Sequence, residues 1–214
     1  MKEILIYFEG PSDVAVMEKL FGSLLTEKAA AGVTIKFLAV NSGDRKQTLV
    51  TEIPVKAARI LPRMHRTTVA IVPDLYPPNK GFRHSTYHEM RQGAQDLFVT
   101  ECERIESGSS GRFLERFKVF CFKHDLESLL LACPEALKRR LDAKSLAVDW
   151  STPVEDQNHD NPPKKVVQRL FAQHDAYYDD VTDAPLILEG CDPDRLAQAC
   201  PQGFKPIVDF LKSL

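Results

Sequence analysis

No stretch of this sequence approaches the roughly 18 apolar residues that a membrane-spanning helix requires, so a helical membrane span is not expected. The pattern of a signal peptide is missing too. Met1 to Phe8 runs from one lysine and one glutamate into a short apolar segment that stops at Glu9, too short and wrongly flanked for secretion. The five cysteines, Cys102, Cys121, Cys133, Cys191 and Cys200, are odd in number and show no C-x-x-C spacing, so they read as reduced, small hydrophobic residues. A cytoplasmic protein is the expectation. A formal net charge of −2 excludes a globally basic nucleic-acid binder and leaves room for a local patch or a metal-mediated phosphate site. There is no G-x-x-x-x-G-K-[ST] loop, so any ATP use would belong to a partner.

What is present is enough apolar material, 43% of 214 residues, for one α/β domain with an extension. Ile4 to Phe8 is a nearly continuous apolar run, as in a strand buried on both faces. Gly10 and Pro11 break it, Ser12 is placed to cap a helix, and Met17, Leu20, Phe21, Leu24 and Leu25 recur at helical spacing up to about Gly32. Val33 to Val40 reads as a second strand, Asn41 to Gln47 as a loop, and the segment up to Met64 as a helix disturbed by Pro54. Thr67 to Val72 is the clearest strand, ending at Pro73-Asp74, with an exposed loop through Pro77, Pro78, Asn79 and Gly81. A helix from Thr86 to Glu106, a flexible connector from Ser107 to Gly111, a strand from Phe117 to Phe122 and a helix from Asp125 to Ala132 follow.

Strands alternating with helices imply a doubly wound α/β protein with a mostly parallel sheet and helices on both faces. We expect the core to span 1–148. Residues 149–214 read as a C-terminal helical extension packed on it, with helices at Lys164 to His174 and after Asp192 and Phe204.

Ligands of open parallel sheets bind beyond the carboxyl ends of the strands, and here acids sit at those ends. Glu9 closes the first strand, Asp13 follows in the first turn of the next helix, Asp74 closes the third strand, and His124, Asp125 and Glu127 follow the fourth. Carboxylates gathered at one edge would raise one another's pKa unless a cation neutralised them. Hard cations such as Mg²⁺ or Mn²⁺ take oxygen ligands of this kind. Taken singly, each acid has a plainer role: Asp13 complements a helix dipole, Asp74 starts a turn, and Glu127 is solvated.

The segment ILIYFEGPSD, Ile4 to Asp13, resembles the first motif of TOPRIM domains such as the nuclease domains of the OLD family. VAIVPDLYPPN, Val69 to Asn79, is similar to the second motif, with Tyr76 where Asp-x-Asp would carry its second acid. With FKHDLESLLLACP, NPPKKVVQRL and CPQGFKPIVDFLKSL, the chain resembles a TOPRIM-like family classified as a domain of unknown function, number 4276. The resemblance implies a TOPRIM-like fold. It implies Glu9, Asp13, Asp74 and Glu127 as metal ligands for Mg²⁺ or Mn²⁺, with Glu9, Asp74, Glu127 and Lys164 serving catalysis. Lys164 or Lys165 would stabilise charge on a phosphate, and Arg45 and Lys46 are further candidate phosphate contacts. The activity implied is cleavage of DNA or RNA phosphodiesters, beside an ABC or AAA-type ATPase partner in a bacterial defence-like system. The alternative is a non-catalytic TOPRIM-like module that binds an ATPase or nucleic acid.

Overall fold

The computed structural model describes residues 1–41, 43–78, 80–108, 110–156 and 160–214. Its sheet has four parallel strands in the order β2-β1-β3-β4. β1 (Lys2–Phe8) pairs with β2 (Val33–Ala39) on one side and with β3 (Thr67–Val72) on the other, and β3 pairs with the short β4 (Phe117–Val119). Parallel neighbours need long crossovers. These contain α1 (Pro11–Ala30), then α2 (Arg45–Gln47), a π-helical turn (Thr48–Glu52) and α3 (Ile53–Ile60), then α4 (Tyr87–Ile105) and α5 (Ser110–Leu114). The α/β class and the parallel sheet expected from the sequence are the ones observed.

The contacts group the chain into two units: Met1–Pro11 with Ser23–Cys121 and Leu214, and Ser12–Gly22 with Phe122–Ser213. In the first, all six residues of β3 are buried, which explains its unbroken Thr-Thr-Val-Ala-Ile-Val sequence. Its core joins Val69, Ile71, Phe117 and Val119 of the sheet to Ala57 and Leu61 near α3 and Ala94 and Phe98 of α4. The Phe98 and Phe117 rings stack with centroids 4.7 Å apart.

The second unit contains the first half of α1 and α6 (Glu127–Leu131), α7 (Pro134–Leu141), a 3₁₀ turn (Val154–Asp156), α8 (Pro163–Ala172), α9 (Asp180–Leu188), α10 (Pro193–Ala199) and α11 (Phe204–Ser213). Phe204 packs on Phe21 and Phe122. Buried Glu155 accepts the backbone N–H groups of Gln202 at 2.8 Å and Gly203 at 2.6 Å, fixing the turn that opens α11.

Several local expectations are corrected. α1 begins at Pro11, not after a Ser12 cap; proline lacks the N–H that a first turn leaves without a helical partner. The helix before Met64 is entered through α2 and the π turn, so Arg45–Gln47 is helical and not loop. β4 stops at Val119, because only Phe117 to Val119 find register partners on β3. Ser110 and Gly111 open α5 and do not extend the connector. α7 and α9 were not expected. α4 starts as read, with Thr86 and Glu89 forming a reciprocal capping box. Ser42, Asn79 and Ser109 of the expected loops lie outside the described residues, as do residues 157–159 of the polar stretch Thr152 to Pro163.

Candidate functional site

Glu9 and Asp74 owe their proximity to strand register. Phe8 and Val72 are partners in the β1–β3 ladder, so the residues just beyond them leave neighbouring strands at the same carboxyl edge. The Asp74 backbone N–H donates to Glu9 Oε1 at 2.9 Å. Lys46 Nζ stands 3.9 Å from the same oxygen and donates to the Pro77 carbonyl at 2.7 Å. Lys46 lies on α2, whose first turn is capped by Asp44 through the Gln47 N–H. Burial pushes the Glu9 pKa up, against the opposing pull of Lys46 and of the Asp74 N–H, and nearby Asp44 adds to the rise. Glu9 is therefore a desolvated carboxylate that favours a proton or a cation.

Among the remaining acids, Asp13 occupies the first turn of α1, in the part of the helix that belongs to the second unit. Glu127, also of that unit, opens α6 and is buried. Its Oε1 accepts from the Tyr178 hydroxyl at 3.1 Å and lies 3.5 Å from Lys164 Nζ, which also pairs with Asp180. Burial raises the Glu127 pKa, while Lys164 and Tyr178 act to lower it. Asp125 accepts the Lys164 backbone N–H at 3.2 Å through Oδ2, satisfying a first-turn donor of α8. Its buried Oδ1 has no hydrogen-bond partner among the described residues. Burial, then repulsion from Glu127, lifts the Asp125 pKa to about 7. Burial works against the Lys164 charge, yet Glu127 and Asp180 outweigh it and hold its pKa above the ordinary value.

The structure thus brings Glu9, Asp74 and Lys46 together in the first unit, and Glu127, Lys164 and Asp125 in the second. Arg45 and Lys165 are exposed, and Lys165 Nζ donates to the Asp160 carbonyl at 3.3 Å. Sequence reading missed Asp180 and Tyr178, because their link to Glu127 and Lys164 is made only by the fold. Tyr76, in the position of the motif's second acid, donates its hydroxyl to the Ser85 carbonyl at 2.9 Å.

Among the described residues, no group of three or more His, Cys, Asp or Glu is arranged to hold a metal ion. A pair of carboxylates still fits Mg²⁺ in kind, since that ion keeps several waters and takes one or two carboxylates with substrate phosphate. A cleft of about 720 Å³ in the same unit, bordered by Tyr7, Thr48, Thr51, Lys56 and Arg59, is lined by neither Glu9 nor Asp74. The strand-end chemistry, not the size of that hollow, marks the candidate site. No helix among the described residues is long and apolar enough to cross a membrane.

The family described as Domain of unknown function (DUF4276) matches residues 8–212. No curated protein matches the sequence. Among solved structures, the C-terminal region of the Burkholderia pseudomallei OLD protein is similar over 100% of this chain and 98% of its own, with 14% identity and a TM-score of 0.53. The C-terminal region of the Xanthomonas campestris pv. campestris OLD protein covers 98% of this chain and 95% of its own, at 13% identity and a TM-score of 0.46. At such identity the first of these bears on the fold alone.

Proposed function

The chain belongs to the family described as Domain of unknown function (DUF4276), and from the chemistry at its strand ends we propose that it is a TOPRIM-like, metal-dependent phosphodiesterase acting on DNA or RNA. The observation that carries this reading is the placement of Glu9 and Asp74 side by side beyond β1 and β3, with Lys46 at 3.9 Å from Glu9. β1 is also where the sheet order turns, since β2 lies on one side of it and β3 on the other. Open parallel sheets present their ligand sites at such a point.

Glu9 and Asp74 would hold Mg²⁺ or Mn²⁺. When bound, such an ion polarises a phosphodiester and lowers the pKa of a coordinated water. Lys46, fixed by the Pro77 carbonyl, supplies positive charge for a phosphate oxygen. The Asp74 N–H holds one Glu9 oxygen in place, which limits the reorganisation that phosphate binding would require. An ATP-hydrolysing partner of ABC or AAA type completes the proposal, in a bacterial defence or DNA-processing role.

The test is incubation of the pure protein with supercoiled plasmid, single-stranded DNA and RNA in Mg²⁺, Mn²⁺ or EDTA. Glu9→Gln and Asp74→Asn run alongside. Cleavage that needs the metal and falls about 100-fold or more in either variant, the scale of a lost acid–base or ligand group, supports the reading. Asp13→Asn and Glu127→Gln report whether the acids of the second unit take part. If the wild type is inert with every metal, alone and with an ATPase partner, the chain is instead a binding module.

A further inference from the structure

Tyr87, in the first turn of α4, leaves 40% of its surface exposed, yet its ring is held in place. The hydroxyl donates to the Val119 carbonyl at 2.7 Å, at the carboxyl end of β4. Burial raises the Tyr87 pKa, against the pull of Arg91, so the hydroxyl stays a donor near neutral pH. The start of α4 is fixed by Met90, which packs with Val50, Leu75 and Cys121, and by the Phe82 ring, which fills the space that a side chain at Gly93 would take. Leu75 directly follows Asp74, so this small core joins the opening turns of α4 to the Glu9 and Asp74 edge within the first unit.

His88 and Arg91 are exposed on the same turns, and Arg91 stands one helical turn on from Tyr87. No salt bridge among the described residues engages Arg91. The acid of these turns, Glu89, is folded back onto the N–H groups of Ser85 and Thr86 at 2.7 and 3.1 Å. What faces solvent is an anchored aromatic ring beside cations.

We propose that Tyr87 and Arg91 form a platform for an unpaired nucleic-acid strand, with a base stacked on the Tyr87 ring and an adjoining phosphate on Arg91. The inference rests on the nucleic-acid part of the reading above and adds the form of the substrate. Rings beside cations suit single strands, whose unstacked bases offer a free π face. A duplex keeps its bases on one another and leaves the ring nothing to stack on. β4 lies two places from β1 in the sheet, and neighbouring strands are about 4.8 Å apart. A nucleic-acid strand running along the carboxyl edge therefore passes Glu9 and Asp74 and then reaches Tyr87.

The experiment measures fluorescence anisotropy of the full-length protein in EDTA, where metal-dependent cleavage is silent, with labelled oligothymidylate, oligouridylate, an abasic strand of the same length and a DNA duplex. Wild type should hold at least one base-bearing strand about 10-fold more tightly than the abasic strand, and more tightly than the duplex. Tyr87→Leu should erase the preference over the abasic strand, while Tyr87→Phe, which keeps the ring, should retain most of it. Arg91→Gln should weaken base-bearing and abasic strands alike and lower the slope of log affinity against log salt by about 0.7. Equal wild-type affinity for base-bearing and abasic strands, tighter binding of the duplex, no binding of any strand, or a preference that survives Tyr87→Leu would overturn the proposal, and the first three outcomes need no variant to fold. Cleavage in Mg²⁺ or Mn²⁺ without the base preference sinks the platform and leaves the phosphodiesterase standing. The preference without cleavage supports the platform and removes the phosphodiesterase.

Discussion

Replacing Lys164 by Met separates a phosphate-binding lysine from one that holds its own unit together. Its ammonium lies 3.5 Å from Glu127 Oε1 and pairs with Asp180, and Asp125, which accepts the Lys164 backbone N–H at 3.2 Å, is repelled by Glu127. Removing the cation leaves buried Glu127 beside two further acids. Breaking a fully buried pair by deleting one partner costs about 3–5 kcal/mol, while exposed pairs contribute about 0–1 kcal/mol. With the Lys164 side chain 40% exposed and Glu127 only 5%, the expected loss lies between these limits, about 1–3 kcal/mol. Urea unfolding at pH 7.5 measures it, with exposed Lys165→Met as a control expected within about 0.5 kcal/mol of wild type. The sign with pH is fixed. Without Lys164, the folded-state pKa values of Glu127 and Asp125, already raised, rise further. Acids with raised folded pKa values destabilise as pH climbs from the unfolded value through the folded one. The deficit should therefore shrink toward pH 5. If Lys164→Met is as stable as Lys165→Met and loses only nucleic-acid affinity, Lys164 is available to phosphate and the network argument is wrong.

Glu9→Gln should abolish cleavage without lowering the melting temperature, because glutamine keeps an oxygen for the Asp74 N–H while escaping the burial that penalises the charge; a large fall in melting temperature would refute that balance. Glu155→Ala removes the acceptor of two buried backbone donors and should cost about 2–4 kcal/mol in urea unfolding, whereas a loss below about 1 kcal/mol would mean that water replaces it. Arg59 and Arg104 hold the Glu101 carboxyl down to about 2, so its stabilisation is present above the ordinary value of 4.5 and is lost as pH falls toward 2. Glu101→Gln should flatten the acid limb of a circular-dichroism titration over that window, and an unchanged limb would show that the arginines do not act on it.

The central strands were legible because each is apolar on both faces: a run such as Thr67 to Val72 has few other uses. α7 carried a readable start, Pro134 at its first position, but the same proline also reads as the stop of the preceding helix. α9 was hidden by Pro185 in its interior. That helix is held by the Asp179 cap and by Asp183, which pairs with Arg140 and takes the Asp179 N–H. No local pattern announces those partners. At the candidate site, Glu9 and Asp74 could be picked out because strand ends are visible in sequence. Which acids pair with Lys164 could not, since the answer depends on how α6, α8 and α9 fold together within the second unit.

The π-helical turn from Thr48 to Glu52 closes with the Ile53 N–H on the Thr48 carbonyl, so it takes in one residue more than an α turn. An α-helix advances about 100° per residue. Deleting one residue between Thr48 and Glu52 would restore the ordinary ladder while turning α2 by roughly that angle relative to α3. Lys46 would then swing off Glu9 and the Pro77 carbonyl, although no residue of the site had been touched. The extra residue acts as a phase adjuster, and insertion or deletion there would retune the cation beside Glu9 independently of the sheet.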